Sequence, residues 1–261
     1  MGGVKSALVQ VTEADVKPKK RLIIRIGGLE KEGKTHFSLT APGPIALFNL
    51  DRGLEGVLDK FVSPDKTVFV AEFKPVRIVG ATPAQTQESN EPIWKEIQQT
   101  YYDALVSPLY RTIVIDTDTK MYEIARLATF GKLTQVKSHH YTPLNDAYRA
   151  LVDAAYDNDK NVIFVSKLKK QYIKKQNSED SAWNGKHEES GFTDLGYNTM
   201  LNLRARVDIE GDNYIEVVNC RANRKMRGNQ YFSTDTQDDA NFAGVAVDIY
   251  PDYYDIVDWL T

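Results

Sequence analysis

Five apolar runs rich in β-branched residues punctuate the first two thirds of the chain, at 22 to 26 (LIIRI), 45 to 50, 67 to 71, 112 to 115 and 161 to 165. Each is too short for a helix and too continuously apolar for a strand with one wet face, so each predicts a strand buried on both faces. Helical spacing takes over between them. Residues 92 to 106 begin with Pro92 and set Ile93, Ile97, Tyr101 and Leu105 on one face; residues 142 to 156 begin Thr-Pro and do the same with Leu144, Ala147, Tyr148, Leu151 and Ala155. This alternation predicts an α/β fold around a mainly parallel sheet flanked by helices.

Two stretches break the pattern. Residues 74 to 91 are rich in Pro, Thr, Gln, Ser and Asn and predict a mobile surface insertion between the third strand and the first long helix. Near the end, RVDIEGDNYIEVVNC alternates through Gly211-Asp212-Asn213 and predicts a C-terminal antiparallel hairpin at one sheet edge. From 228 onward there are seven Asp and no Lys or Arg, so residues 233–261 are expected as an acidic tail closing in a solvated helix, YYDIVDWL. The expected organisation is an extension over 1–20, one core domain over 21–232, and that tail.

Composition narrows the class only slightly. A chain of 261 residues, 42% hydrophobic and 26% charged, builds one substantial soluble core. Its net charge of -3 argues against a globally basic nucleic-acid binder and leaves that work to local patches. Cys220 is the lone cysteine, so no internal disulfide forms and a cytoplasmic setting is expected. No run is long and apolar enough to cross a bilayer, and no membrane partner is expected.

The chemistry starts after the first strand, in IIRIGGLEKEGKTHF. Gly28, Gly33, Lys34 and Thr35 fill the pattern G-x-x-x-x-G-K-[ST] between a strand and a helix that runs from His36 to Leu39 before Ala41-Pro42-Gly43-Pro44 stops it. Backbone N–H groups of such a loop point inward as an anion nest, and the helix adds its positive end. The side chains between the glycines can face outward, so the acids Glu30 and Glu32 do not forbid phosphate. Gly28, Glu30, Gly33, Lys34, Thr35 and His36 are the expected ATP contacts.

Phosphoryl transfer also needs a magnesium ion and a group to orient the attacking water, so carboxylates are sought at strand ends. Asp116 ends the 112 to 115 strand and is expected on Mg²⁺, directly or through water. Asp118 is either an outer partner of the metal or the cap of the next helix. Asp51, after the second strand, and Glu55, four residues on, are alternative catalytic carboxylates.

GLEKEGKT, FNLDRGLEG, TIVIDTDT and VIFVSKLKK resemble the successive motifs of the RecA-like ATPases, most of all the compact phage-encoded branch linked to single-strand annealing and recombination. The likeness covers most of residues 21 to 232, although only the first motif is highly specific. RecA-type loops carry a glutamate where Glu30 stands. The resemblance implies Lys34 on the β- and γ-phosphates, Thr35 and Asp116 on Mg²⁺, and Asp51 as the catalytic carboxylate, one methylene shorter than the family's glutamate. It further implies that Ser166 and Lys167 sense the γ-phosphate and pass its state to a DNA-binding loop over 166–192.

Charge gives that loop independent content. SKLKKQYIKKQ gathers Lys167, Lys169, Lys170, Lys174 and Lys175 around Tyr172 with no acid from 160 to 178, and a polar stretch with Trp183 follows. Lysines beside a stacking ring suit single-stranded DNA without sequence preference, though a solvated lysine-rich loop has the same composition. The likeness favours DNA. Arg221, Arg224 and Lys225, with Arg227, follow the hairpin, and in a ring or filament of identical subunits the resemblance implies that one of them reaches a neighbour's ATP. A single-strand DNA-binding protein is a further expected partner. A small-molecule kinase and a non-hydrolysing ATP-gated interaction module are the rival functions.

Overall fold

The computed structural model describes residues 21–51, 53–64, 66–174, 181–251 and 253. In chain order the elements are β1 (Ile23–Gly28), α1 (Lys34–Leu39), β2 (Ile45–Asn49), β3 (Val68–Glu72), α2 (Pro83–Val106), β4 (Thr112–Asp116), α3 (Asp118–Phe130), α4 (Thr142–Asp157), β5 (Asn161–Lys174), β6 (Ser181–Glu189), α5 (Leu195–Asn198), β7 (Leu201–Val207), β8 (Asn213–Cys220), β9 (Gln230–Ser233) and α6 (Phe242–Ile249). The sheet order is β3-β2-β4-β5-β1-β7-β8-β9, with β6 paired to β5 beyond the sheet proper. Strands β3 to β7 in that order run parallel, while β7, β8 and β9 form the antiparallel edge. The α/β fold with its parallel centre and C-terminal antiparallel strands is the one the resemblance implies.

Alternation along β1 shows why its run is apolar throughout. Ile24 and Ile26 pack with Phe37 of α1 and Phe242 of α6, whereas Ile23 packs with Ile97, Tyr101 and Tyr148 on the opposite face. Each strand of the parallel centre therefore ends, at its C-terminal end, in the seam between two helical layers, and loops leaving β1, β2, β4 and β5 converge there.

Three expectations are corrected. Helix α2 starts at Pro83, not Pro92: Thr82 accepts the Gln85 N–H while the Gln85 side chain answers the Thr82 N–H, and Pro92 lies inside the helix. The segment before it is tied to the helix at Val76, whose N–H and carbonyl both bond buried Asn90 at 2.9 Å. The 166–192 loop is largely a two-stranded ribbon, β5 running nine residues beyond the predicted strand end at 165 and pairing antiparallel with β6. The acidic tail contains α6, whose Phe242, Val245 and Ala246 are fully buried, with Tyr253 beside them. The rest of YYDIVDWL, like residues 1–20 and Lys175, lies outside the described residues. Among the described residues no helix is long and apolar enough to cross a membrane.

Candidate nucleotide site

The loops from β1, β2, β4 and β5 surround a cleft of about 820 Å³. Its lining includes Gly28, Glu30, Gly33, Lys34, Thr35, His36, Asp51, Glu55, Asp116 and Lys167, so ten of the sequence-derived residues meet in one place. The loop bends through two left-handed positions, Lys31 at φ 65° and Gly33 at φ 81°, which turn successive N–H groups the same way. A Cβ on Gly28 would stand 3.0 Å from the Glu32 carboxylate, 3.1 Å from the Lys34 side chain and 3.2 Å from Ala205, so a side chain there would crowd the loop.

Of the two loop acids, Glu32 turns inward. Its carboxylate accepts the Leu29 N–H, and the Lys34 ammonium donates to the Leu29 carbonyl. An internal carboxylate thus sits on a donor of the loop, the chemistry expected of a phosphate oxygen. Burial pulls the Lys34 pKa below its ordinary value, opposed by the nearby Glu32 and Asp116 carboxylates. Glu30 stays exposed at the rim.

At the floor, Thr35 Oγ1 donates to Asp116 Oδ2 at 2.5 Å. Asp116 is 3% exposed, and burial lifts its pKa to about 6 against the Thr35 hydrogen bond that holds it down. A hydroxyl and a carboxylate held together are hard oxygen donors of the kind Mg²⁺ takes while keeping its remaining positions for water and phosphate. The donor set fits a magnesium nucleotide. Asp118 is not the helix cap; Thr117 accepts the Lys120 N–H, and Asp118 is fully buried in the field of Arg25.

Asp51 lies two residues past the end of β2 and pairs with Lys167 Nζ at 2.6 Å. It acts electrostatically on both Lys34 and Asp116, whereas Glu55 stands exposed further along the rim. The two predicted γ-phosphate sensors part company. Lys167 reaches the cleft, but its neighbour Ser166 points to the other face, where its hydroxyl accepts from Arg25 Nε at 3.0 Å. Successive strand residues alternate faces, so the two side chains cannot share one site. His36 lines the cleft with its ring edge-on to Phe61 at 4.6 Å, and burial lowers its pKa.

Beyond Lys167 the ribbon carries Lys169, Lys170 and Tyr172, all exposed. Tyr172 pairs in register with Trp183, and Lys170 Nζ lies 5.0 Å from the Trp183 ring. Tyr172 and Trp183 lie eleven residues apart in the sequence, and the hairpin pairing alone makes them neighbours. Lys169 is drawn to Glu188 at 3.3 Å, an acid of β6 that the count of charges over 160 to 178 left out.

The basic group after β8 is remote from this cleft. Cys220 pairs with Leu201, which pairs with Ile24 at the start of β1, so Arg221, Arg224 and Lys225 sit at the opposite end of the sheet. Arg221 donates to the Tyr197 carbonyl, and Arg224 and Lys225 are exposed.

Residues 20–244 match the family model AAA_24, described as an AAA domain. No curated protein matches the chain. Among solved structures, one titled "Crystal structure of the RadB recombinase" is similar over 81% of this chain and 86% of its own, at 12% identity and a TM-score of 0.43.

Proposed function

From the premise that the chain belongs to the AAA domain family, we propose that it is a P-loop ATPase whose nucleotide state sets its hold on single-stranded DNA, serving annealing or recombination as in the phage-encoded branch that its motifs resemble. The observation that carries this is the convergence of Lys34, the Thr35–Asp116 pair and the Asp51–Lys167 pair on one cleft from which the basic, aromatic ribbon departs.

Each residue has a distinct part. The loop N–H groups and Lys34 bind the β- and γ-phosphates, exchanging the Glu32 carboxylate for phosphate oxygens. Thr35 and Asp116 would hold Mg²⁺, which would neutralise charge on the phosphates. Lys167 keeps Asp51 neutralised until a γ-phosphate competes for its ammonium. Asp51, so released, orients the attacking water and takes its proton, a role its position supports over Glu55. Tyr172 and Trp183 offer stacking surfaces to bases while Lys169, Lys170 and the following lysines meet the phosphates of the strand.

The ribbon favours this over the rival small-molecule kinase, because it starts from Lys167 and Leu168 of the cleft lining and carries exposed rings and lysines. The deciding experiment measures ATP hydrolysis with and without single-stranded DNA in the parent and in Lys34→Ala. Stimulated turnover in the parent and none in the folded variant is expected. Turnover in Lys34→Ala at the parent rate removes the loop from the account, and turnover indifferent to DNA removes the DNA.

A further inference from the structure

The ribbon leaves the sheet at a single residue. Lys167 pairs with Gly28, the first glycine of the phosphate loop, and is the last residue of β5 that pairs with β1; Leu168 already pairs with Glu189 of the ribbon. At that point Ser190 donates its N–H to the Lys167 carbonyl at 2.8 Å, closing the ribbon's base. The Lys167 N–H, by contrast, takes a side-chain acceptor. It donates to Thr119 Oγ1 at 2.9 Å, and the same hydroxyl donates to the Ser190 carbonyl at 2.9 Å.

One hydroxyl therefore holds both strands of the ribbon at their root. It comes from α3, three residues after Asp116, and its backbone follows directly from the metal-binding strand end. The approach is close: Gly191, at φ 110°, comes so near that a Cβ there would stand 3.2 Å from Thr119 Cα. Asp51 meanwhile grips the side chain of the same Lys167 whose backbone Thr119 grips. Any shift of the Asp116 strand end or of the Lys167 ammonium has a hydrogen-bonded route to the ribbon.

We infer that Thr119 is a positioning residue that couples the nucleotide site to the β5–β6 ribbon, so that occupation of the cleft changes the ribbon's order through this clasp. The inference rests on the nucleotide-binding reading above and adds a regulatory element to it. Thr119 lies outside the cleft lining, so losing its hydroxyl leaves the phosphate contacts in place. A coupling carried by such a contact has a size of about fivefold or more in the paired equilibria.

The test reads the ribbon directly, without DNA. Amide hydrogen exchange over 168–173 and 181–188 is followed in the full chain, with and without magnesium and a slowly hydrolysed ATP analogue, alongside a direct nucleotide titration. In the parent, nucleotide should change ribbon exchange by about fivefold or more, at the scale of ordinary site coupling. Thr119→Val, nearly the same shape without the hydroxyl, should bind nucleotide like the parent and lose that response; Thr119→Ser should restore it. Gly191→Ala, which pushes the clasp apart from the other side, should reproduce the loss if Thr119→Val fails to fold. A ribbon in Thr119→Val that responds as the parent does overturns the clasp, as does a parent that binds nucleotide with an unresponsive ribbon. A parent that binds no nucleotide overturns the functional reading itself, and the titration identifies that outcome separately.

Discussion

Asp116→Asn separates what the site costs the fold from what it does. The carboxylate is 3% exposed and its pKa is raised from 3.8 to about 6, chiefly by burial. A raised folded-state pKa means that the stability of the protonated form is complete below 3.8 and lost as pH rises through about 6. Two pKa units correspond to about 3 kcal/mol, the ceiling on what keeping this group ionised costs the free protein at neutral pH. Asparagine has the same outline, still accepts the Thr35 hydroxyl, and carries no charge to desolvate. Its N–H₂ group faces a polar cleft, which limits the new cost.

The free variant should therefore be more stable than the parent by about 1 to 3 kcal/mol at pH 7.5, and the difference should shrink below pH 6 as the parent's carboxyl becomes neutral. Urea unfolding at several pH values, without nucleotide or metal, measures it. Magnesium-dependent turnover should meanwhile collapse, since an amide is a poor replacement for a carboxylate on a hard cation. A variant less stable than the parent at pH 7.5, or a difference that ignores pH, refutes the desolvation argument. Parent-level turnover refutes the metal role.

Glu32→Gln removes an anion that competes for the loop N–H and Lys34, so ATP affinity measured by titration should rise, by about a kcal/mol or several-fold for one charge in a partly solvated site; unchanged or weaker binding shows that the inward carboxylate does not compete. Replacing Lys169, Lys170, Lys174 and Lys175 together by Ala should lower single-strand affinity and flatten its salt dependence, each lost phosphate contact removing about 0.7 from the log–log slope. An unchanged slope places the DNA elsewhere. If the basic group completes a neighbour's site, as its place at the far end of the sheet from its own cleft requires of any phosphate role, co-assembled Arg224→Ala and Lys34→Ala subunits should recover turnover that neither has alone; mixtures as inactive as either variant return that group to solvent or DNA contact.

The elements legible in the sequence are those whose cause is local. The inner parallel strands β1, β2 and β4 announce themselves because they are buried on both faces, with a polar residue such as Arg25 the exception, whereas β3, at the sheet edge, leaves Phe69 and Val70 exposed and corrects the expectation that its run is buried on both faces. The phosphate loop is equally plain, since its spacing is dictated by backbone geometry. The start of helix α2 is hard to read because Pro92 and a polar composition mask Thr82 and Gln85, whose reciprocal caps fix it. The buried α6 was hidden by averaging its eight apolar-rich residues into an acidic tail. Strand β5 was cut short where its lysines begin, since an exposed ribbon is held by its partner strand and not by a core, and periodicity reports cores.

The candidate site divides along the same line, and the division explains why its parts were unequally visible. Asp116 and Lys167 stand at the C-terminal ends of parallel strands, where topology alone brings side chains from distant sequence to one cleft. A sequence that reveals its strands reveals such residues with them. Ser166 could have been excluded by the same alternation that places Lys167, since adjacent residues on a strand serve opposite faces. Thr119 had no such signal: its partners lie 48 and 71 residues away, and both are backbone groups. Backbone groups carry no residue identity, so a hydroxyl that bonds only to them leaves no pattern to read. The contacts that bind a nucleotide are written in side chains at strand ends, whereas the contact inferred to transmit its presence is written in main-chain geometry and emerges only from the fold.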